Sequence, residues 1–527
     1  MSQSHFMSSV RGHASPHMIR QLVFVGGITS VGTEITASRL VAPYFGTSTF
    51  IWANLIGITS TFLAIGYWMS GRLADRFPRP WILYVATAAA ALSSILLPYL
   101  AQPILRISLD AFTGVDVGAI YGSLIGVLLL LAIPITLLGF VTPYAVRLLI
   151  QNVDEAGDIS GGIYALSTIG SSVGSFLPVL VLIPWIGTAR TFLVLGAMLL
   201  VPAMVGIWQQ HSWGMRVPTM AASMIALLVP FLATPDTIRP AERGHIIYET
   251  ESADNYIQVI EDDGARYLSL NDGHAFQSIY DPDELLTRGS WDYFMLGPLF
   301  TSTESPAELD SAMIIGPAGG TVSKQLTHAF GPVLIDGVEI DKEIVEVGRE
   351  CFDMTEPNLN VIVEDGRYAL RASDKRYEPI AVDAYRQPYI PFQLTSREFF
   401  KEVYDHLDDD GTLVVNAGRT AEDYRLVDVI GSTIRSVFPK VYLVDGEAYD
   451  NTMVIATRPP SSIETYLQAV ENQPEGTILR TVGDRSIETG NIREVPEGRI
   501  IYTDDHAPVE RLVDRIILDE ATGSSTP

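Results

Sequence analysis

Residues 312–341 read AMIIGPAGGTVSKQLTHAFGPVLIDGVEID. A short apolar run is followed by a glycine-rich turn, an amphipathic stretch and a second apolar run that ends in two acids. This pattern is typical of a buried strand, a helix and a second buried strand, because a strand covered on both faces needs continuous apolar residues. The stretch therefore predicts the start of a doubly wound α/β sheet, in which ligands bind beyond the carboxyl ends of the strands.

The same alternation continues toward the C-terminus, with helices predicted at 321–330 and 342–351 and between several later strands. The strands of the predicted parallel sheet are 312–316, 333–339, 360–363, 379–382, 412–416, 440–444 and 452–457. Upstream, three short strand-like runs are separated by Asp-Asp-Gly and Asn-Asp-Gly turns, which favour hairpins. These runs, 245–249, 256–261 and 266–270, predict a small antiparallel sheet.

The first 235 residues belong to a different class of structure. They hold ten Arg, no Lys and seven acidic residues, whereas the rest of the chain holds 25 basic and 54 acidic residues. Apolar runs of membrane-spanning length recur in the first part. We therefore predict a transmembrane bundle of about seven spans over 1–235, a linker and hairpin subdomain over 236–310, and a Rossmann-like methyltransferase-type domain over 311–527. The predicted spans are 21–44, 48–70, 81–103, 118–146, 161–184, 188–209 and 216–234.

These features predict a multi-pass protein of the cell membrane, with the lipid bilayer as one partner. The basic loop at 71–79 is expected on the cytoplasmic side. Seven spans would then place the acidic domain outside, whereas a nucleotide-using enzyme is expected inside with its cofactor. Either the number of spans is wrong by one, or some other feature overrides the preference of basic loops for the cytoplasmic side. We expect the soluble domain to be cytoplasmic. Its acidic surface argues against nucleic-acid binding.

Several features of the chain have a structural and a functional interpretation. Glu34, inside the first span, either has a partner on another helix or lies on a substrate or ion path. The small residues of 161–175 favour close helix packing, although a cavity lining stays open. Cys351 is the single cysteine, so an intrachain disulfide is excluded. The nine His residues show no metal-ligand spacing, and no metal is expected.

Three sites at strand ends point to nucleoside binding: a glycine loop after the first strand, Glu339 at the end of the second and Asp365 after the third. Gly316, Gly319 and Gly320 follow the first strand, where glycine allows a bulky ligand to approach the backbone, although a tight turn has the same sequence. Glu339 ends the second strand about 20 residues later, where an acid accepts hydrogen bonds from ribose hydroxyls. Asp341 better fits a helix N-cap.

The third and fourth strands end in further carboxylates. Asp365 precedes Gly366 and is placed to accept a hydrogen bond from an adenine amine, or it belongs to an ordinary Asp-Gly turn. Asp383 follows the fourth strand, above the nucleoside, where a carboxylate orients an amine and takes its proton. A free amine with a pKa near 10 needs such a base at neutral pH. The alternative role for Asp383 is a strand-end cap.

The soluble half resembles the spermidine synthase (polyamine aminopropyltransferase) family, and the whole chain looks like its membrane-fused branch. The resemblance covers about 245–460 and includes Glu251-Ser252, the 270–277 hairpin, Val338–Asp341, Glu364–Gly366, and Asp383 with the segment 390–400. It implies decarboxylated S-adenosylmethionine as co-substrate, a polyamine or other amine as acceptor, methylthioadenosine as product, and a homodimer.

The resemblance also implies residue roles. Asp383 would be the catalytic acid/base, and the donor would be bound by Gly316, Gly319, Gly320, Glu339, Asp365, Gly366 and Asn255. The amine substrate would contact Gln277, Tyr385, Arg386 and Pro391.

The chain departs from the family pattern at several positions. Ala318 stands where an Asp usually grips the donor amine, and Arg386 stands where a second Asp usually follows the catalytic one. Asp292, Asp504 and Asp505 are among the acids that would replace them if the chain folds suitably. The departures keep two alternatives open: methyl or aminocarboxypropyl transfer from S-adenosylmethionine, and a transporter or sensor that binds a nucleoside or polyamine without catalysis.

Overall fold

The computed structural model describes residues 15–46, 49–111, 118–150, 152–210, 238–241, 243–252, 254–271, 275–301, 309–385, 389–446, 450–498 and 500–522. The chain forms two compact units. The first comprises Met1–Pro240 with Thr250–Tyr256, and the second comprises Ala241–Glu249 with Ile257–Pro527. The three-part division at 235 and 310 stays a prediction.

The described residues of the first unit up to Gln210 are mainly helical. Its α-helices are α1 (Pro16–Phe45), α2 (Thr49–Arg76), α3 (Pro80–Asp110), α4 (Gly118–Gly139), α5 (Val141–Leu149), α6 (Ala156–Leu177) and α7 (Ile183–Gln210). The helices α1 and α6 approach closely because glycines replace side chains at their contact. A Cβ atom on Gly170 would lie 2.2 Å from the carbonyl oxygen of Phe24, and one on Gly174 would lie 2.3 Å from that of Ile28. The small residues there pack helices together.

The expected seven spans are corrected by the structure: four helical stretches of the described chain are long and apolar enough to cross a membrane. The predicted spans 161–184 and 188–209 fall in one 58-residue stretch, which continues through a π-helix and bends at Gly187. The span predicted at 21–44 falls in α1, which is long enough but is not among the four, and 216–234 lies outside the described residues. The four stretches are Phe50–Arg76, Pro80–Leu109, Tyr121–Leu149 and Val153–Gln210.

Polar side chains join helices in the first unit. Glu34 on α1 accepts a hydrogen bond from the Thr59 hydroxyl on α2 at 2.9 Å, in agreement with a role between helices. Asp75 at the end of α2 pairs with Arg147 at the end of α5, with 2.9 Å between Oδ1 and Nε. These ends of α2 and α5 therefore lie on the same side of the unit.

The chain next forms a four-stranded sheet. Its strands are β1 (His245–Glu251), β2 (Tyr256–Asp262), β3 (Ala265–Leu270) and β4 (Phe276–Tyr280), in the order β1-β2-β3-β4. The pairs β2–β3 and β3–β4 are antiparallel. A buried 3-10 helix, Ser290–Phe300, follows this sheet in the sequence.

The main sheet has eight strands in the order β12-β10-β11-β9-β8-β5-β6-β7. From β9 to β7 all neighbouring strands are parallel, as predicted. The expectation of an all-parallel sheet is wrong at β11, which is antiparallel to both β9 and β10. Only five residues separate β10 from β11, and a parallel pair needs a crossover of a dozen or more. The strands are β5 (Ser311–Ile315), β6 (Leu334–Glu339), β7 (Leu359–Val363), β8 (Tyr377–Val382), β9 (Leu407–Gly418), β10 (Lys440–Asp445), β11 (Asn451–Thr457) and β12 (Ile492–Glu494).

Helices cover both faces of this sheet, and apolar clusters lie under each face. The chain runs outward from β5 to β7 on one side and to β8 and β9 on the other, so the strand order reverses between β5 and β8. Such a reversal opens a crevice at the carboxyl ends of the strands. The helices are α8 (Thr321–Phe330), α9 (Lys342–Cys351), α10 (Gly366–Ala372), α11 (Arg397–His406), α12 (Arg425–Arg435), α13 (Ile463–Asn472), α14 (Ile478–Glu488) and α15 (Val509–Thr522).

Candidate active site

The glycine loop lies at the reversal point of the sheet. Gly316 has a φ of 86°, and a Cβ atom there would lie 2.7 Å from the carbonyl oxygen of Asp383. Only glycine fits this close approach without strain. The backbone of Asp383 also donates to the carbonyl of Ile315 at 2.9 Å. The glycine loop and the predicted catalytic carboxylate are therefore neighbours, which sequence separation alone does not show.

Glu339 is a buried carboxylate at the end of β6. Its Oε2 accepts a hydrogen bond from the backbone N–H of Ala318 at 3.3 Å, and its Oε1 accepts one from that of Asp341 at 3.2 Å. Burial raises the pKa of Glu339 to about 7, while the backbone hydrogen bonds oppose that rise. The side chain is thus held against the glycine loop, and its role as a ribose acceptor stays a prediction. Asp341 caps α9 by accepting from the backbone N–H of Glu343, as the sequence suggested.

Asp365 follows β7 and caps α10. Its Oδ1 accepts a hydrogen bond from the backbone N–H of Tyr368 at 3.0 Å. A Cβ atom on Gly366 would lie 2.4 Å from the side chain of Ile315, so this position brings the start of α10 close to β5. The cap uses Oδ1, and among the described residues no hydrogen bond reaches the other oxygen, Oδ2, which is available to a ligand.

Large apolar side chains are exposed around these carboxylates. Ile340 follows Glu339, Val363 ends β7, and Tyr368 lies in the first turn of α10; each is exposed, as is Phe392. Exposed apolar groups beside fixed carboxylates are typical of a small-molecule site, in which apolar walls carry the area and a few polar groups fix orientation.

Asp383 lies at the end of β8 with its side chain half-buried. Its Oδ1 accepts a hydrogen bond from Asn416 Nδ2 at 2.9 Å. Burial raises the pKa of Asp383 to about 6, and the hydrogen bond from Asn416 acts in the opposite direction. At neutral pH the carboxylate is therefore mainly ionised and is a competent proton acceptor.

Asn416 is the part of the site that the sequence reasoning did not identify. Its Oδ1 accepts from Asn451 Nδ2 at 2.8 Å, which orients the amide so that Nδ2 faces Asp383. The same Nδ2 lies 3.4 Å from the Ser290 hydroxyl. A signal was present, since Asn416 is the polar end of an apolar strand run beside the Asp383 strand. That the two strands are neighbours follows only from the sheet order.

Tyr385 is fixed by β9. Its hydroxyl donates to the carbonyl of Asn416 at 3.0 Å and accepts from the backbone N–H of Gly418 at 2.7 Å. This hydroxyl is therefore engaged with the backbone, and a substrate would meet the ring of Tyr385. Burial raises the pKa of the Tyr385 phenol above its usual range.

The other predicted site residues are more dispersed. Gln277 lies half-buried on β4, and Pro391 precedes a 3-10 turn at Phe392–Leu394. Asn255 lies in the turn before β2, in the first unit, where its carbonyl accepts from the backbone N–H of Ser252 at 2.8 Å. Arg386 lies outside the described residues.

Two of the acids considered as replacements have other partners. Asp292 is fully buried and accepts five hydrogen bonds, including one from Arg485 at 2.9 Å. Asp504 pairs with Arg367. Neither carboxylate is left to bind a polyamine. Within the described part of the chain, no group of three or more His, Cys, Asp or Glu side chains is arranged to hold a metal ion.

Comparison with known proteins gives consistent similarities. The spermine/spermidine synthase domain model matches residues 298–455. A probable polyamine aminopropyl transferase of Bifidobacterium longum is 35% identical over 298 residues, which cover 53% of this chain and 65% of that protein. A polyamine aminopropyltransferase of Vibrio vulnificus is 30% identical over 233 residues, 42% of this chain and 75% of that one.

Solved structures are also similar in part. Spermidine synthase from Thermotoga maritima is 21% identical over 42% of this chain and 75% of its own, with a TM-score of 0.34. A probable spermidine synthase from Corynebacterium glutamicum is 14% identical over 55% of this chain and 96% of its own, with a TM-score of 0.38.

Proposed function

Because the chain belongs to the spermine/spermidine synthase family, we propose that it transfers an aminopropyl group from decarboxylated S-adenosylmethionine to an amine such as putrescine. The predicted membership in this family of transferases is confirmed, whereas the donor, the acceptor and the reaction itself are proposals. Methylthioadenosine is the second product.

The donor nucleoside would occupy the crevice at the ends of β5, β6 and β7. Glu339 would accept hydrogen bonds from the ribose hydroxyls, and the free oxygen of Asp365 would accept from the adenine amine. Ile340 and the other exposed apolar side chains would cover the base. Because Gly316 lies directly against the backbone of Asp383, a nucleoside on the glycine loop would have its sulfonium end near Asp383.

Asp383 would act as the base for the attacking amine. The nitrogen lone pair forms a bond to the propyl carbon beside the sulfonium, the C–S bond breaks, and its electron pair neutralises the sulfur. The nitrogen loses one proton, which Asp383 takes up. The observation that carries this proposal is the ionisable Asp383 carboxylate, oriented by Asn416 and adjoining the glycine loop.

We further propose that the helical unit spans the cell membrane and that the catalytic unit faces the cytoplasm. The four apolar stretches support membrane association. The cytoplasmic side is favoured because the nucleoside donor is expected there.

The test is product analysis by mass spectrometry on detergent-purified full-length protein. Decarboxylated S-adenosylmethionine or S-adenosylmethionine would be supplied with a pool of diamines and polyamines, and Asp383→Asn would be run in parallel. Methylthioadenosine formed from the decarboxylated donor alone, and reduced about 100-fold or more in the variant, is the expected result.

Each other outcome contradicts the proposal. Methylthioadenosine from S-adenosylmethionine would indicate aminocarboxypropyl transfer, and S-adenosylhomocysteine would indicate methyl transfer. Nucleoside binding without any product would indicate a sensor or transporter.

A further inference from the structure

The C-terminal segment returns to the start of helix α10 and pairs with it. Asp504 accepts two hydrogen bonds from the Arg367 guanidinium, at 2.7 Å from Nη1 and 2.9 Å from Nη2. The Ser396 hydroxyl donates to the same carboxylate at 2.5 Å. A bidentate pair of this kind fixes orientation as well as position.

All five N–H groups of Arg367 are used. Besides Asp504, the guanidinium donates twice to Glu402, from Nε at 2.9 Å and from Nη2 at 2.8 Å, and once to the carbonyl of Gln393 at 3.2 Å. Arg367 is buried, and its acidic partners raise its pKa further above the usual range. Arg367 therefore stays charged throughout the physiological pH range.

Arg367 lies in the first turn of α10, two residues after Asp365, which caps that helix. Gln393 lies in the 3-10 turn after Pro391. Arg367 thus connects the start of α10 to the 391–394 turn. Both segments would line the crevice that the donor would occupy. Asp504 and Glu402 hold adjoining edges of the guanidinium, since Asp504 takes N–H groups of Nη1 and Nη2 and Glu402 takes those of Nε and Nη2.

A second contact joins the C-terminal segment to the same region. The Tyr389 hydroxyl donates to Asp514 on α15 at 2.6 Å. Tyr389 is buried and packs in the same apolar cluster as Ile390 and Leu394. The C-terminal segment is therefore attached at two places. One is Arg367 on α10, and the other is Tyr389, two residues before Pro391.

We propose that Asp504 is a positioning residue for the donor: through Arg367 it holds the Asp365 end of α10 and the 391–394 turn in the geometry that binds the nucleoside. The C-terminal segment is then a working part of the donor site. This inference rests on the proposed function, because it takes a nucleoside as the ligand.

The experiment measures methylthioadenosine affinity by calorimetry on detergent-purified full-length protein. We expect Asp504→Asn to weaken binding about tenfold, since a charge-assisted pair is lost from the support of Asp365. Asp484→Asn is the matched control, because Asp484 pairs with Arg480 at 2.8 Å on α14 and the charge change is the same. Its affinity should equal that of the unmodified protein. Asp504→Glu should recover part of the affinity.

Further readouts separate positioning from general stability. In Asp504→Asn, hydrogen exchange of 366–372 should rise and the donor KM should increase about tenfold with kcat within about twofold. Tyr389→Phe, which keeps the ring packed, should show a smaller change in the same direction. A lowered melting temperature with unchanged affinity and KM would overturn the inference and leave the proposed function standing. Failure of the unmodified protein to bind methylthioadenosine would instead overturn the proposed function, and this inference with it.

Discussion

Two carboxylates of the candidate site, one buried and one half-buried, have different surroundings. Glu339 is held by backbone N–H groups from the glycine loop and the start of α9, and burial raises its pKa to about 7. Asp383 is held by one amide side chain, and burial raises its pKa to about 6. The first environment offers a fixed hydrogen-bond acceptor, and in the second no hydrogen bond from the described residues reaches Oδ2 of Asp383, which is where we propose proton transfer.

The pKa of Asp383 predicts the acid limb of the pH profile. Because the base must be ionised, kcat/KM should rise with pH through about 6 and fall about tenfold for each unit below it. Stopped-time assays from pH 4.5 to 8 would show this limb. The Asp383→Asn variant should turn over much more slowly and should lack this acid limb. An acid limb that persists in the variant would show that another group is the base.

The pKa of Glu339 predicts the pH dependence of nucleoside binding. Ribose hydroxyls donate to the ionised carboxylate, so protonation of Glu339 should weaken binding as the pH falls through about 7. Methylthioadenosine should bind about tenfold more weakly at pH 6 than at pH 8. The control is Glu339→Gln, which should bind weakly with little pH dependence. Equal affinity of the unmodified protein at both pH values would argue against the ribose role.

At the scale of elements, the carboxyl end of β9 organises the residues that follow β8. The side chain of Asn416 holds Asp383, while the backbone of Asn416 and Gly418 holds Tyr385. Asn451 on β11 in turn fixes the Asn416 amide. Three adjacent strands therefore set the orientation of one carboxylate, and the antiparallel β11 contributes to it because its first residue pairs with Gly418.

Removal of the Asn416 amide should change the titration of Asp383. Its hydrogen bond favours the ionised form, so Asn416→Ala should move the acid limb upward by about one pH unit and lower kcat. Asn360→Ala is a matched control, because Asn360 makes an amide contact of 2.8 Å with Asp336 and does not touch Asp383. An unchanged midpoint in Asn416→Ala, with only reduced stability, would make Asn416 a packing residue.

At the scale of the whole molecule, the chain combines two units that differ in hydropathy and charge. The first has long apolar helices with few charges, and the second carries the excess of acidic residues. Within the first unit, the Asp75–Arg147 pair and the Tyr144 hydroxyl, which contacts the carbonyl of Phe77, bring the end of α2 and the end of α5 together. The loops that follow these two helices should therefore face the same side of the membrane.

Thiol labelling tests this arrangement. In a Cys351→Ser background, Arg76→Cys and Asp154→Cys should react with a membrane-impermeant maleimide from the same side, in intact cells or in inverted vesicles. Both positions are exposed. Labelling of the two from opposite sides would contradict the helix arrangement. Asp283→Cys, exposed in the second unit, would show independently whether that unit faces the cytoplasm.

The sequence by itself determined the class of each half, because hydrophobic length and strand–helix alternation are local properties of the chain. It also located Glu339, Asp365 and Asp383, since each ends an apolar strand run and parallel strands place such ends together. It did not determine the number of spans, because two predicted spans join in one helical stretch that continues through Pro178–Leu182.

Only the tertiary structure decided which residues support those carboxylates. Asn416 lies 33 residues from Asp383, Arg485 lies 193 residues from Asp292, and Asp504 lies 137 residues from Arg367. No local pattern marks such pairs, because they form where the sheet order and the returning C-terminal segment bring distant positions within hydrogen-bond distance. Patterns along the chain report what a segment buries, whereas its polar partners depend on which other segments fold against it.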